Sequence, residues 1–170
     1  LMLMKGQKKL LIDDKNIIIN FDIMHKNWEK IKAFGLAYEV IKIALHKCKK
    51  LNSEITIRLT DDKEMKLLNK KWRNIDSPTN VLAFPNTKIL NIDDDSKHIG
   101  DILISYNTIK SEAIERNINF IDHMMHIIIH GVLHLCGYDH IKKNDEKIMM
   151  NYEKFILNEI GIKDPYISYK

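Results

Sequence analysis

HGVLHLCGYDH, residues 130–140, closes a long apolar run and carries His130, His134 and His140. The run, over about 119–136, is predicted to be a helix, and its apolar content makes it the buried central helix of the domain. Gly137 is the natural stop, because glycine takes the left-handed conformation that terminates an α-helix. On this helix His130 and His134 lie one turn apart on one face, with Cβ atoms about 5–6 Å apart. Beyond Gly137 the chain reverses, and His140 can return from a loop toward the same point.

That geometry suits a tetrahedral metal ion. Three neutral imidazoles from His130, His134 and His140 leave a fourth position for water, the mark of a catalytic rather than a structural zinc site. One Zn2+ per chain is the cofactor expected. His126 and His123 precede the cluster, but His126, His130 and His134 are collinear and span about 12 Å at 1.5 Å per residue, so those three cannot share one ion. Cys136 points away from the histidine face and reads as a small buried filler. The spacing His-x-x-x-His-x-x-Gly-x-x-His resembles the metzincin peptidases, but Gly131 stands where their general-base Glu belongs. A zinc peptidase is therefore disfavoured. Asp139, beside His140, reads equally as an acceptor that orients an imidazole or as a turn residue.

Outward from this helix, the chain reads as strands and helices mixed without strict alternation. Strands are expected at 16–23, 53–60, 81–84 and 98–106, from β-branched runs and period-two alternation. Helices are expected at 27–50 with Asn27 as cap, 61–73 capped by Thr60, 108–117, and 144–161 capped by Asn144 and stopped at Gly161. Residues 74–80 and the acidic stretch 91–97 read as loops. Gly100 marks a bulge or a close approach. The fold class is α+β: a small mixed β-sheet packed against helices, with the buried central helix carrying two metal-ligand histidines. We expect one domain over residues 1–170, with residues 1–12 poorly defined.

A net charge of +4 permits a polyanionic partner without demanding one. Only three of the 27 basic residues are Arg (Arg58, Arg73 and Arg116), so the many lysines carry little functional information. The opening residues hold no apolar run long enough for a signal peptide or membrane span, and two cysteines without a CxxC fit a reduced cytosolic protein.

Residues 130–140 resemble the H-G-x-L-H-L-x-G-Y-D-H signature of the YbeY family of bacterial metal-dependent endoribonucleases. A second block, LNKKWRNIDSPTNVLAFP at 68–85, is similar to the family's L-N-x-x-[YW]-R-x-x-[DN]-x-P-T-D-V-L-S-F-P. Two positions depart from it: Asn80 stands for Asp and Ala83 for Ser. HIGDILIS at 98–105 and MNYEKFILNEIGI at 150–162 extend the likeness. The resemblance implies a compact α+β domain with the metal at the floor of a basic cleft. It implies zinc ligands at His130, His134 and His140 and a functional arginine at Arg73. It also implies cytoplasmic action on RNA, in 16S rRNA 3′-end maturation and ribosome quality control, with the ribosomal small subunit or its proteins as partner.

Chemistry supplies a mechanism for that reading. Zinc lowers the pKa of bound water to about 7, so no Glu base is needed. Arg73 can clamp two phosphate oxygens, while Lys66, Lys70 and Lys71 track the backbone. Trp72 and Phe84 are expected to serve as core aromatics, with stacking on bases the lesser role, and Ala83–Pro85 to wall the cleft. The alternative is a ribosome-associated assembly factor whose zinc holds the fold.

Overall fold

The computed structural model describes residues 8–14, 16–86, 98–139 and 143–167. Five strands form one mixed sheet in the order β1-β2-β3-β5-β4. They are β1 (Lys8–Asp14), β2 (Ile17–Ile23), β3 (Ser53–Thr60), β4 (Val81–Pro85) and β5 (His98–Ser105). The inner pairs β2–β3 and β3–β5 are parallel, and the edge strands β1 and β4 are antiparallel to their neighbours. The helices are α1 (Phe34–Lys47), α2 (Asp62–Arg73), α3 (Tyr106–Glu115), α4 (Phe120–Leu135) and α5 (Lys143–Glu159). The class is α+β, as expected.

Strand alternation sorts the side chains of β4 and β5 between two layers. Ile102 and Ile104 join the main core with α1, α4 and α5, together with Val81 and Ala83 at its margin. Leu82 and Leu103 point the other way, onto Met65 of α2, with Leu68 and Phe84 beside them. Helix α4 is buried along its length and packs on β4, β5, α1, α3 and α5. Asn119 caps it, its side chain accepting from the Ile121 and Asp122 amides. Its last residues give way to Gly137 at φ +92°, the predicted stop.

Gly100 is both things the sequence allowed. The β3–β5 pairing slips there, from Glu54–His98 to Ile55–Gly100, so Ile99 is an extra residue in the strand. At φ +151°, a Cβ on Gly100 would sit 2.4 Å from the Phe84 carbonyl oxygen. Glycine is what lets β4 close on β5 behind the site.

Four expectations about the elements are corrected. The helix expected over 27–50 is broken: a 3-10 turn at Lys26–Lys30, capped by His25 rather than Asn27, precedes α1. The cause is Trp28, whose buried indole N–H donates to the Thr60 carbonyl at 2.8 Å and ties that turn to the end of β3. Ile31 is extended, and the chain restarts as helix three residues on. At α2 the cap is Asp61, accepting from the Glu64 amide at 3.0 Å, while Thr60 ends β3 and gives its hydroxyl to the Glu64 carboxylate. Strand β1 takes in residues 8–12 of the stretch expected to be poorly defined. Helix α5 already includes Lys143, so Asn144, its expected cap, lies inside the helix. The loop expected at 91–97 lies outside the described residues.

Candidate functional site

Residues from three parts of the chain meet in a cleft of about 710 Å³. His130 and His134 come from the last turns of α4, Trp72 and Arg73 from the end of α2, and Ala83, Phe84 and Pro85 from edge strand β4. The local folding explains each placement. Helix α2 ends in Asn74, left-handed at φ 58°, which turns the chain after Arg73. Buried Asn69 then donates its side-chain amide to the Ser77 carbonyl at 2.8 Å and holds the loop that leads into β4. Pairing of β4 with β5, on which α4 rests, carries the arginine and the histidines to the same opening.

The histidines converge. Nε2 of His130 and Nε2 of His134 are 3.1 Å apart, with ring planes 78° to one another. Two nitrogens bound to one tetrahedral zinc at 2.0–2.1 Å would be separated by about 3.3 Å, so the pair fits an ion with a shift of a few tenths of an ångström. His130 Nδ1–H donates to Glu153 of α5 at 2.7 Å, which leaves Nε2 of a neutral ring as the lone pair. Among the described residues no group of three His, Cys, Asp or Glu side chains forms a metal site. His140, the expected third ligand, lies outside the described residues.

Gly131 has a structural reason. It is buried against β5, and a Cβ there would lie 3.0 Å from Ile102 Cγ2. Position 131 faces the sheet, so no side chain at that position can act in the cleft. Cys136 does not line the cleft; its thiol hydrogen-bonds to Cys48 at the end of α1.

The other expected residues divide. Arg73 is exposed on the cleft wall, with Asp139 and Asn80 also lining it. Lys70 and Lys71 are not part of the lining: Lys70 pairs with Asp76 at 3.4 Å, and the Lys71 ammonium lies 5.0 Å from the Trp72 ring centroid. Lys66 pairs with the same Asp76 at 3.7 Å. Trp72 is not a core residue, as expected of it, but 61% exposed at the rim, edge-on to Phe84 with centroids 6.0 Å apart.

Sequence reasoning missed the carboxylates behind the cleft. Glu153, 1% exposed, accepts from His130 Nδ1–H on Oε1, and its Oε2 accepts from His126 Nε2–H at 3.3 Å and from the Tyr166 hydroxyl. Burial alone would raise its carboxyl, but the hydrogen bonds from His126 and His130 outweigh burial and hold it down at about 2. A signal existed: Glu153 interrupts the apolar face Met149, Ile156, Leu157 of α5. Glu112 plays a parallel part, accepting from His123 Nε2–H at 2.7 Å and from the Asn80 amide. His126 and His123 are thus turned away from the His130–His134 pair and line a separate cavity beside the C-terminal segment. Among the described residues no helix is long and apolar enough to cross a membrane.

Comparison with known proteins gives a consistent picture. The family described as Endoribonuclease YbeY matches residues 19–161. Endoribonuclease YbeY of Vesicomyosocius okutanii is 46% identical over 114 residues, 67% of this chain and 77% of that protein. The Nitrobacter hamburgensis protein of the same name is 45% identical over 118 residues, 68% of this chain and 62%, under two thirds, of its own length. That of Francisella tularensis is 34% identical over 164 residues, 95% of both chains. The solution structure of TM1509 from Thermotoga maritima has a similar fold, with TM-score 0.50 and 26% identity over 84% of this chain and 91% of that one.

Proposed function

The chain belongs to the Endoribonuclease YbeY family, and on that premise we propose that it is a zinc-dependent, single-strand-specific endoribonuclease acting in 16S rRNA 3′-end maturation and ribosome quality control in the cytoplasm. The observation that carries the reading is the convergence of His130 and His134, 3.1 Å apart at Nε2, in the same cleft as Arg73. His130, His134 and His140 would hold one Zn2+.

When bound, the ion supplies a Lewis acid for a phosphoryl oxygen and an activated water at neutral pH. The protein's own groups do the rest. Arg73 clamps the scissile phosphate with its guanidinium, whose planar fork of N–H donors matches the growing charge on the equatorial oxygens. Glu153 keeps the His130 proton on Nδ1, away from the cleft. Trp72 at the rim offers an exposed ring on which a splayed base can stack, which single-stranded RNA allows and duplex does not. Lys70 and Lys71, on the surface of α2, would bind the flanking backbone.

Two alternatives lose support. Position 131 cannot carry a peptidase base. A zinc that merely holds the fold is unnecessary where α4 is already packed by Ile128, Ile129, Val132 and Leu133, all fully buried. The test is cleavage of a labelled rRNA 3′-end fragment by protein as isolated, chelated and zinc-restored, with circular dichroism on the same samples and His130→Ala as control. Cleavage lost on chelation with the fold intact, restored by zinc and absent from the variant supports the reading. A folded, zinc-loaded protein that leaves the RNA whole overturns it in favour of an assembly factor.

A further inference from the structure

Glu153 is a charge inside a core. It lies on the inner face of α5 beside Met149, Ile156 and Leu157. A carboxylate persists in such surroundings only when its lone pairs are met. Three donors meet this one: His130 Nδ1–H at 2.7 Å on Oε1, and His126 Nε2–H at 3.3 Å together with the Tyr166 hydroxyl on Oε2. Of the three, only His130 opens on the cleft.

Tyr166 reaches this point because the segment that follows α5 is tied down. Arg116 Nη2 donates to the Pro165 carbonyl at 2.6 Å, and Lys154 Nζ pairs with Asp164 at 3.2 Å. The Tyr166 ring then stands edge-on to His126, centroids 5.5 Å apart. A continuous set of contacts therefore runs from the C-terminal segment to His130.

We propose that Glu153 is the positioning residue of the His130–His134 pair, and that Tyr166 and His126 hold Glu153 in place, so that the C-terminal segment sets the cleft's affinity for a divalent cation. This deepens the metal reading above and rests on it. The physical step is tautomer control. An imidazole without an acceptor at Nδ1 is free to carry its proton on Nε2, where it blocks coordination. Glu153 removes that freedom and makes the ring a better donor. A glutamine in its place has one acceptor oxygen for three donors, so at least one of them goes unmet.

The test is cobalt(II) titration of the full chain, followed by visible absorption and by competition with a chelator. It compares wild type with Glu153→Gln and Tyr166→Phe. Nitrogen chemical shifts of the histidine rings, read on the metal-free proteins, report the tautomer directly. Glu153→Gln should weaken cobalt binding about 10–100-fold and move His130 toward the Nε2–H form, with the far-UV spectrum retained. Tyr166→Phe should weaken binding severalfold in the same sense. Wild-type affinity and an unchanged His130 tautomer in both folded variants overturn the proposal. If Glu153→Gln does not fold, Tyr166→Phe alone decides it, in either direction. A wild-type protein that takes up no cobalt overturns the metal reading itself, and this inference with it. Selective loss in the variants overturns neither.

Discussion

The side-chain amide of Asn80 donates to both oxygens of Glu112, at 3.1 Å each, while His123 donates to the same carboxylate at 2.7 Å. Asn80 is the position at which the chain departs from the Asp of the resembling motif, and the contact gives that departure a physical meaning. Burial alone would raise the Glu112 carboxyl, but His123 and Asn80 together hold it below the usual carboxylate range. Asn80→Asp would replace a donor with a second carboxylate and force a proton between the two. That raises a carboxyl in the folded state, so the loss of stability grows as pH rises. We expect a deficit of about 1–3 kcal/mol at pH 8 that shrinks toward pH 5. Urea unfolding at the two pH values checks this, and a deficit that grows on acidification would contradict it.

Arg73 lines the cleft at an exposed helix end, and no core contact depends on it. Arg73→Glu should leave metal content and folding unchanged and lower RNA cleavage by about 10²–10³-fold, the scale for losing a donor to developing charge. Single-turnover cleavage with metal analysis of the same sample is the measurement. Unchanged turnover would remove Arg73 from the mechanism.

His134 is half-buried, and its neighbours Val132, Leu133 and Leu135 carry the packing of that turn. His134→Ala should therefore keep the fold, lower the zinc bound per chain and abolish cleavage. Full zinc retention, measured by elemental analysis after dialysis, would refute the ligand assignment.

Gly131 sits where a peptidase would hold its base, yet the space belongs to Ile102. Gly131→Glu should cost at least about 1–3 kcal/mol for overpacking alone, with a buried carboxylate adding to it. It should confer no peptidase activity. A variant of wild-type stability that digests casein would show that position 131 reaches the cleft after all.

Glu153 sets an acid limit on stability. Its folded-state carboxyl lies at about 2, below the ordinary 4.5. A depressed carboxyl stabilises the fold above its unfolded value, and that contribution fades as pH falls from about 4.5 toward 2. The full contribution is of order 3 kcal/mol. Urea midpoints should decline across that window in wild type and less steeply in Glu153→Gln. Parallel declines would mean that Glu153 is not the group responsible.

The α+β class, the sheet's inner strands and the run of α4 were legible in the sequence because each is a local pattern. Alternation in β3, an apolar helix ended by Gly137, and two histidines four residues apart require only the periods of strand and helix. The convergence of His130 and His134 follows from one helical turn, and Arg73 was singled out by the resemblance of residues 68–85 to a family motif. What failed did so through a distant contact: the helix expected from 27 to 50 breaks because Trp28 answers to a carbonyl 32 residues away.

Only the tertiary structure decided what stands behind the site. Nothing near His130 in the chain announces Glu153, 23 residues on, or Tyr166 beyond it. Nothing near Asn80 announces Glu112, and the periods of α4 do not say that Gly131 faces Ile102 rather than the cleft. A buried carboxylate can be recruited from any element that the core brings within about 3 Å, and sequence spacing does not encode that distance. The amino-acid sequence by itself determined which side chains are the candidates for holding a metal and a phosphate. The packing of α5 and β5 against α4 determined which way those side chains point.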